Sequence, residues 1–221
     1  MSLSTAEYQA LDHAHFLHPF TDHKRMHKTG ARIIQRAEGV YLWDSDGHQM
    51  LDAMAGLWCV NVGYGRKDLA EVARKQIEEL PYYNSFFQTA HPPVIELSAL
   101  LSEITQDHLT HVFLTNSGSE SNDTVVRMAR HFWQCMGHPD KQVIISRKNA
   151  YHGSTIAAAS LGGMDGMHKQ MSALPYVEHI EQPYDFDTDQ PLSSNELGKR
   201  AADALARKID SLGADRVAAF I

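Results

Sequence analysis

The sequence predicts an α/β fold with a mostly parallel sheet and helices packed on its faces. From residue 111 onward, short apolar runs alternate with longer amphipathic runs, and Gly-rich turns separate them. A strand–helix–strand order of this kind joins neighbouring parallel strands. The predicted strands are HVFLT (111–115), QVIIS (142–146) and RVAAFI (216–221), and the predicted helices span 121–137, ending at Gly137, and 193–213, ending at Gly213.

The segment before residue 66 predicts a smaller antiparallel unit. Glu38-Gly39 and Asp46-Gly47 punctuate the apolar runs of residues 32–54, a pattern typical of a meander. Residues 1–30 are expected to be irregular, and the aromatic stretches 56–65 and 81–90 to be loops. We therefore expect an N-terminal segment (1–65) with a small antiparallel meander, followed by a larger domain (66–221).

That larger domain is expected to begin with two helices and to be incomplete. Apolar residues recur with helical spacing in 67–80 and in 94–104, and Pro92-Pro93 precedes the second run. The chain ends inside the apolar run VAAFI, where domains rarely end. We expect the sequence to be the N-terminal portion of a longer protein.

Composition excludes several classes of protein. The chain has 221 residues, 43% of them hydrophobic and 21% charged, which is typical of a soluble globular protein rather than a disordered one. No apolar run approaches the ~18 residues of a membrane helix, and the N-terminus lacks the pattern of a secretory signal. The formal charge of −7 argues against a nucleic-acid partner. Cys59 and Cys135 are expected to be buried thiols of a cytoplasmic protein.

The most informative segment is the turn NSGSE, between a predicted strand and a predicted helix. A helix N-terminus offers unpaired N–H groups and the positive end of the helix dipole. Gly118 would allow an anion close to the backbone, and the hydroxyls of Ser117 and Ser119 can donate to phosphate oxygens. The spacing of Ser117 and Glu120 also fits a capping box with no ligand, so both interpretations stand on this turn alone.

A second turn strengthens the phosphate hypothesis. The segment NAYHGS (149–154) follows the predicted strand 142–146. Because the carboxyl ends of parallel strands lie along one edge of a sheet, the two turns are expected to open on the same edge. Tyr151 could then stack on an aromatic cofactor, although a core or interface tyrosine is also consistent with its position.

The ordered set of motifs resembles the class III aminotransferases, which are fold-type I enzymes dependent on pyridoxal 5′-phosphate. These motifs are NSGSES, YHGS and GLWCVNVGYG, and the resemblance runs from about His18 to Ile221. The phrases HPFTDH, EGVYLWDSDG, ELPYYNSFFQTAHPP and SLGGM are similar to the ω-amine:pyruvate subgroup. The resemblance implies a three-layer sandwich around the parallel sheet and an N-terminal small-domain segment.

The resemblance also implies roles for individual residues. Gly118 and Ser119 match the turn that holds the cofactor phosphate, and Tyr151 matches the aromatic side chain that stacks on the pyridine ring and borders the substrate. Three aromatic residues match the substrate pocket: Trp58 as a wall, Phe86 as a side chain reaching the neighbouring subunit's site, and Phe20 as an N-terminal cover. From local pattern alone, a core position is the better interpretation of each of these three.

The activity implied is transfer of an amino group from an ω-amine to a keto acid, with pyruvate as the expected acceptor. Diamines, β-alanine-like amino acids and arylalkyl amines fit as donors, and the family implies a homodimer with shared active sites, or a tetramer. The Schiff-base lysine is expected beyond Ile221, because the resemblance implies that it lies in later strands and loops. Lys148 is expected to be a surface residue, and the pair His168-Lys169 is weak evidence for a cofactor lysine because His-Lys recurs in the chain. No metal site is predicted from the histidine spacing. Another reaction on this fold, an aminomutation or decarboxylation, and a non-catalytic phosphate-binding module remain alternatives.

Overall fold

The computed structural model describes residues 3–186 and 192–221, and the chain divides into two compact units. The first is Met1–Glu96 and the second is Leu97–Ile221. The boundary expected from the sequence lay after Gly65, so residues 66–96 lie with the first unit here. The assignment of 66–221 to one large domain concerns the whole protein and stays a prediction.

The first unit holds the predicted meander. Its strands β1 and β2 pair antiparallel, as do β2 and β3. Gly39 and Gly47 adopt positive φ at the two turns, which glycine does without steric cost. The elements of this unit are α1 Thr5–His15, α2 His23–Thr29, β1 Ile34–Glu38, β2 Tyr41–Asp44, β3 Gln49–Leu51, α3 Ala55–Trp58 and α4 Lys67–Glu79.

The expectation that residues 1–30 are irregular was wrong. In α1, the hydroxyl of Ser4 accepts a hydrogen bond from the Glu7 N–H while the Glu7 carboxylate accepts one from the Ser4 N–H. Asp22 caps α2 by accepting from the Arg25 N–H. These caps satisfy donors that a short helix would otherwise leave unpaired, and the sequence signal for them was overlooked.

The second unit is the α/β portion that the sequence predicted. Its sheet has the order β5-β4-β6, and β4 pairs parallel with both neighbours. Helix α5, Pro92–Ile104, contains the boundary between the units. The remaining elements are α6 Gly118–Cys135, β4 Val143–Arg147, α7 Ile156–Leu161, α8 Asp165–His168, β5 Val177–Ile180, α9 Ser194–Leu212 and β6 Val217–Phe220.

The core of the second unit forms around the central strand β4. Its residues 143–146 are all buried, and Ile145 is fully buried. Ile144 packs with Val126 of α6, Leu161 of α7 and Val177 of β5. Burying four such side chains stabilises a fold by roughly 1.5–3 kcal/mol each. This cluster fixes α6 and α7 against the sheet, and their N-terminal ends carry the candidate site.

Residues 111–115 do not form the predicted strand. A strand requires a hydrogen-bonded neighbour, and within the described ranges none of β4, β5 and β6 pairs with 111–115. Phe113 and Leu114 are exposed, so the burial that their apolar character indicated is not found either. Strand pairing depends on non-local neighbours that a local pattern does not identify.

Helix α9 confirms the predicted helix over 193–213, including its end at Gly213. Ser193 and Glu196 form a reciprocal capping box, and Gly213 follows the last turn with φ +88°. Helix α6 begins three residues earlier than predicted, at Gly118 rather than Ser121, so part of the NSGSE turn is helical. Strand β5, Val177–Ile180, was not predicted from the sequence.

Both cysteines are exposed, so the prediction of buried thiols was wrong. Cys59 follows a short irregular turn and Cys135 is the last residue of α6, and neither lies in the core cluster.

None of the helices in residues 3–186 and 192–221 combines the length and apolar character that membrane crossing requires.

We predict that Gly163→Ala strongly destabilises the second unit. An added Cβ would overlap the Arg147 carbonyl oxygen and lie 2.6 Å from the Lys148 Cα and 2.8 Å from the Asn149 N, all backbone atoms. Overpacking of this kind costs about 1–3 kcal/mol. Gly166→Ala is the matched control, because its Cβ would meet nothing within 4 Å. Urea denaturation of both variants checks this, and equal midpoints would contradict it.

Candidate functional site

The N-terminus of α6 is built by a single capping residue. Ser117 has extended backbone angles, and its hydroxyl accepts a hydrogen bond from the Glu120 N–H at 3.2 Å. The Glu120 carboxylate in turn accepts from the Asn116 N–H at 2.9 Å. The helix therefore begins with the Ser117 cap, but the predicted capping box is not closed, because Glu120 binds the N–H of Asn116 rather than that of Ser117. The cap leaves other donors of the first turn unused.

Two of those donors are the backbone N–H groups of Gly118 and Ser119. Among the residues that the structure describes, neither N–H donates to a protein acceptor. Gly118 is exposed and Ser119 is half-buried. Unpaired N–H groups at the positive end of an 18-residue helix can bind an anion.

The turn after β4 lies directly against the start of α6. The Ser154 N–H donates to the Ser119 hydroxyl oxygen at 3.1 Å, and the Thr155 hydroxyl lies 3.4 Å from the Ser119 carbonyl oxygen. Gly153 is buried with φ +125°, and a Cβ there would lie 2.8 Å from the Ser119 Cα. Only glycine permits this approach. The two predicted turns therefore lie in contact. Because residues 111–115 form no strand, the placement of both turns along one edge of the sheet stays a prediction.

Two further side chains of α6 hold the same turn. The Asn122 side-chain amide donates to the His152 carbonyl oxygen at 2.6 Å. The Asp123 carboxylate accepts from the Thr155 hydroxyl at 2.7 Å and from the Ala158 N–H at 3.0 Å. Neither residue was identified from the sequence, because both bind groups 30 or more residues away and a local pattern does not reveal such contacts.

Tyr151 lies on the stretch 149–155, which these contacts hold. The Asn149 N–H donates to the Gly163 carbonyl oxygen at 2.9 Å, and the Gly163 N–H donates to the Ala150 carbonyl oxygen at 3.0 Å. Asn149 adopts φ +61°, a conformation that asparagine tolerates better than most residues. The Tyr151 side chain is exposed. Its backbone is therefore fixed on both sides while its ring stays accessible.

Two ionisable groups near this turn have perturbed pKa values. Burial lowers the pKa of His152, and the neighbouring His179 lowers it further, so the ring is neutral at pH 7. The hydrogen bond with Glu181 raises the pKa of Lys148, whose Nζ lies 2.5 Å from the Glu181 carboxylate. A nucleophilic lysine needs a lowered pKa. Lys148 is therefore a paired surface cation, as the sequence analysis expected.

The other three predicted site residues lie in the first unit, each in a different segment. Phe20 precedes α2, Trp58 ends the short helix α3, and Phe86 lies between α4 and α5. All three side chains are exposed, Trp58 to 77% of its surface. Exposed aromatic side chains on irregular segments are more often binding residues than core residues, so the core alternative is not favoured.

Helix α3 has an unusual backbone, since it is a left-handed turn. Its residues have φ values of 47° (Ala55), 58° (Gly56), 61° (Leu57) and 64° (Trp58). Left-handed helical geometry costs roughly 1–2 kcal/mol for each non-glycine residue. Phe20 also has a positive φ, at 46°. Such strain persists only where surrounding interactions maintain it, and it concentrates at functional sites.

One cluster in the first unit has the residue types of a metal site. Asp44, Asp46 and His48 can bring their ligand atoms within 4.8 Å of one another. The Asp44 carboxylate already accepts hydrogen bonds from the Asp46 and His48 N–H groups, which explains its burial in the turn after β2. The cluster is accounted for by turn formation, and the prediction of no metal stays a prediction.

Comparison with known proteins identifies the family. The family model described as Aminotransferase class-III matches residues 23–221. The chain belongs to the class-III aminotransferases. This class-III chain is 54% identical over 218 residues to the putrescine–pyruvate aminotransferase of Pseudomonas aeruginosa, covering 98% of the chain and 48% of that protein.

Solved transaminases share the fold of this class-III chain. A thermostable (S)-enantioselective omega-transaminase from Thermomicrobium roseum aligns with a TM-score of 0.92 at 38% identity, over 100% of this chain and 49% of that one. The omega-transaminase of Pseudomonas jessenii in complex with PMP aligns with a TM-score of 0.91 at 38% identity, over 96% and 47%. The α/β fold is therefore that of the fold-type I transferases, and the chain spans about half the length of these relatives.

We predict that Asp123→Ala loosens the turn after β4. The substitution leaves the Ala158 N–H and the Thr155 hydroxyl without their shared acceptor, which costs roughly 1–3 kcal/mol. Asp123→Asn is the matched control, because its amide oxygen can still accept from both donors. Urea denaturation should show a clearly larger loss for Ala than for Asn. Equal losses would mean that the carboxylate oxygen does not hold the turn.

Proposed function

We propose that the whole protein is a pyridoxal 5′-phosphate-dependent transaminase that transfers an amino group from an ω-amine to pyruvate. The single observation that carries the proposal is the pair of unpaired N–H groups at Gly118 and Ser119, which lies against the turn bearing Tyr151. The family supports the reaction type. The name of the Pseudomonas aeruginosa relative supports putrescine and pyruvate as the substrate pair.

The start of α6 fits the phosphate of this cofactor. The Gly118 and Ser119 N–H groups and the Ser119 hydroxyl provide three donors within one helical turn. Because the Ser154 N–H already donates to the Ser119 hydroxyl oxygen, the hydroxyl hydrogen remains available to donate to a phosphate oxygen. Hydrogen bonds to an anion are shorter and stronger than neutral ones. The helix dipole adds to the attraction.

When bound, the cofactor supplies an electron sink that stabilises negative charge on the substrate carbon. The chain's own residues hold and surround it. We assign Tyr151 to stacking on the pyridine ring, since its backbone is fixed and its ring is accessible. The lysine that forms the Schiff base is assigned to the sequence after Ile221.

The proposal extends to the substrate side and to assembly. We assign Trp58 and Tyr151 as walls of the amine pocket, Phe20 as its cover, and Phe86 as the residue shared with a second subunit of a homodimer. Sedimentation of the whole protein tests the dimer.

We further assign residues 66–221 to the large cofactor domain, within a three-layer sandwich. A cytoplasmic location is consistent with the two unpaired cysteines of the described ranges.

We predict that Ser119→Ala weakens retention of pyridoxal 5′-phosphate. The substitution removes one phosphate donor and the acceptor for the Ser154 N–H, so we expect roughly tenfold weaker binding, equivalent to about 1.4 kcal/mol. Absorbance of the cofactor after dialysis of the whole protein measures this loss.

Ser121→Ala is the control for this experiment. The Ser121 hydroxyl is engaged with the Thr115 hydroxyl at 2.5 Å and with the Ser117 carbonyl oxygen at 3.2 Å, away from the three donors. Its retention of cofactor should match that of the wild type. Unchanged retention in the Ser119 variant would refute the phosphate role.

We predict that the whole protein, supplied with putrescine and pyruvate, forms alanine in a ping-pong reaction. Chromatographic detection of alanine and an amine-dependent first half-reaction check the prediction. Release of carbon dioxide without alanine would instead support a decarboxylase. Rearranged amino acid without transfer to pyruvate would support an aminomutase.

A further inference from the structure

The left-handed turn Ala55–Trp58 is held by one carboxylate. Asp52 lies immediately before the turn and accepts three hydrogen bonds. The Met54 N–H donates to one carboxylate oxygen at 3.1 Å, and the Gly56 N–H donates to the other at 2.7 Å. The Tyr64 hydroxyl donates to that second oxygen, also at 2.7 Å. Asp52 thus links the turn, through the N–H groups of Met54 and Gly56, to the Tyr64 hydroxyl.

Both partners of this interaction are anchored to the antiparallel meander. The Asp52 N–H donates to the Val40 carbonyl oxygen at 2.9 Å. The Tyr64 N–H donates to the Gly39 carbonyl oxygen at 2.8 Å, and the Gly39 N–H donates back to the Tyr64 carbonyl oxygen at 3.2 Å. The segment 52–64 is therefore a loop whose two ends are fixed at the turn between β1 and β2.

Trp58 depends on this arrangement for its position. Its N–H donates to the Met54 carbonyl oxygen at 2.8 Å, which closes the left-handed turn. Its side chain is largely exposed, so packing within the first unit does not hold the indole. The backbone therefore determines where the indole leaves the chain, and the hydrogen bonds to Asp52 help to hold that backbone.

We propose that Asp52, held by the Tyr64 hydroxyl, is the positioning residue that orients Trp58 and thereby selects which amine donors the enzyme accepts. This inference rests on the proposed function, in which Trp58 forms a wall of the amine pocket. It goes beyond that function because it assigns substrate selection to two residues that do not themselves form the wall.

A carboxylate suits this position better than an amide. All three partners of Asp52 are donors, and they divide between its two oxygens. An asparagine would turn its NH2 group toward at least one N–H, which leaves a donor facing a donor. The hydrogen bond from Tyr64 also holds the pKa of the Asp52 carboxyl below its usual value, so the group is ionised at neutral pH.

Fluorine NMR of the whole protein tests the positioning directly and needs no catalysis. Labelling with 5-fluorotryptophan gives resonances for Trp43, Trp58 and Trp133, the three tryptophans of the chain; further tryptophans of the whole protein add their own. The variant Trp58→Phe assigns the resonance of interest. In Asp52→Asn and in Tyr64→Phe, we expect the Trp58 resonance to shift or broaden while those of Trp43 and Trp133 stay in place.

The matched control is Asp68→Asn, the same chemical change at another carboxylate of the first unit. Asp68 pairs with the exposed Arg66 and contacts neither the turn nor Tyr64, so the Trp58 resonance should be unchanged. An unshifted Trp58 resonance in both the Asp52 and Tyr64 variants would overturn the proposal. Equal movement of all three resonances would also overturn it, because the carboxylate would then support the whole unit.

Kinetics test the consequence for donor selection. We compare 1-phenylethylamine, whose ring can pack on an indole, with 2-aminopropane, which has no ring. In Asp52→Asn and Tyr64→Phe, kcat/KM for the aromatic donor should fall about tenfold relative to the small donor. Adding Ala55→Gly to Asp52→Asn should restore part of this ratio, because glycine adopts positive φ without strain.

The outcomes separate the two proposals. A wild type that transaminates none of putrescine, 1-phenylethylamine and 2-aminopropane refutes the proposed function, while the fluorine spectra still decide whether Asp52 positions Trp58. A wild type that transaminates both donors, with the ratio unchanged in both variants, refutes the role in donor selection and leaves the proposed function intact.

Discussion

The arrangement of the candidate site depends on the contact between the start of α6 and the turn after β4. The Ser154 N–H donates to the Ser119 hydroxyl, and Gly153 packs against Ser119 more closely than any side chain would allow. This contact joins two segments that are more than 30 residues apart in sequence. It leaves the N–H groups of Gly118 and Ser119 unpaired at a helix N-terminus, which is the feature on which the proposed anion binding depends.

The sequence predicted the elements whose signals are local. The meander, α4, α9, β4 and β6 follow from turn glycines, apolar spacing and caps that lie within a few residues of each other. Residues 111–115 were assigned wrongly because a strand depends on a partner elsewhere in the chain. The proximity of the two site turns could be expected from the edge rule for parallel sheets, although only the turn after β4 follows a strand in the structure. The supporting bonds of Asn122 and Asp123 could not, because they are tertiary contacts.

The two units show different ways of fixing a functional side chain. In the second unit, buried apolar residues of β4, α6 and α7 hold the helices, and polar bonds adjust the turn. The first unit has few buried side chains, and there an aspartate and a tyrosine anchored to a small sheet maintain a left-handed turn. No sequence pattern predicts that turn, since three of its four residues are not glycine. The phrase GLWCVNVGYG indicated the family but not this geometry.

The central claim is that the N-terminus of α6 binds the phosphate of the cofactor. The most direct measurement compares the affinity of the whole protein for pyridoxal 5′-phosphate with its affinity for pyridoxal, which lacks the phosphate, by fluorescence titration. Three donors and a helix dipole acting on a dianion should favour the phosphorylated form by at least about a hundredfold. Similar affinities for the two compounds would contradict the account, because they would show that the phosphate contributes nothing to binding.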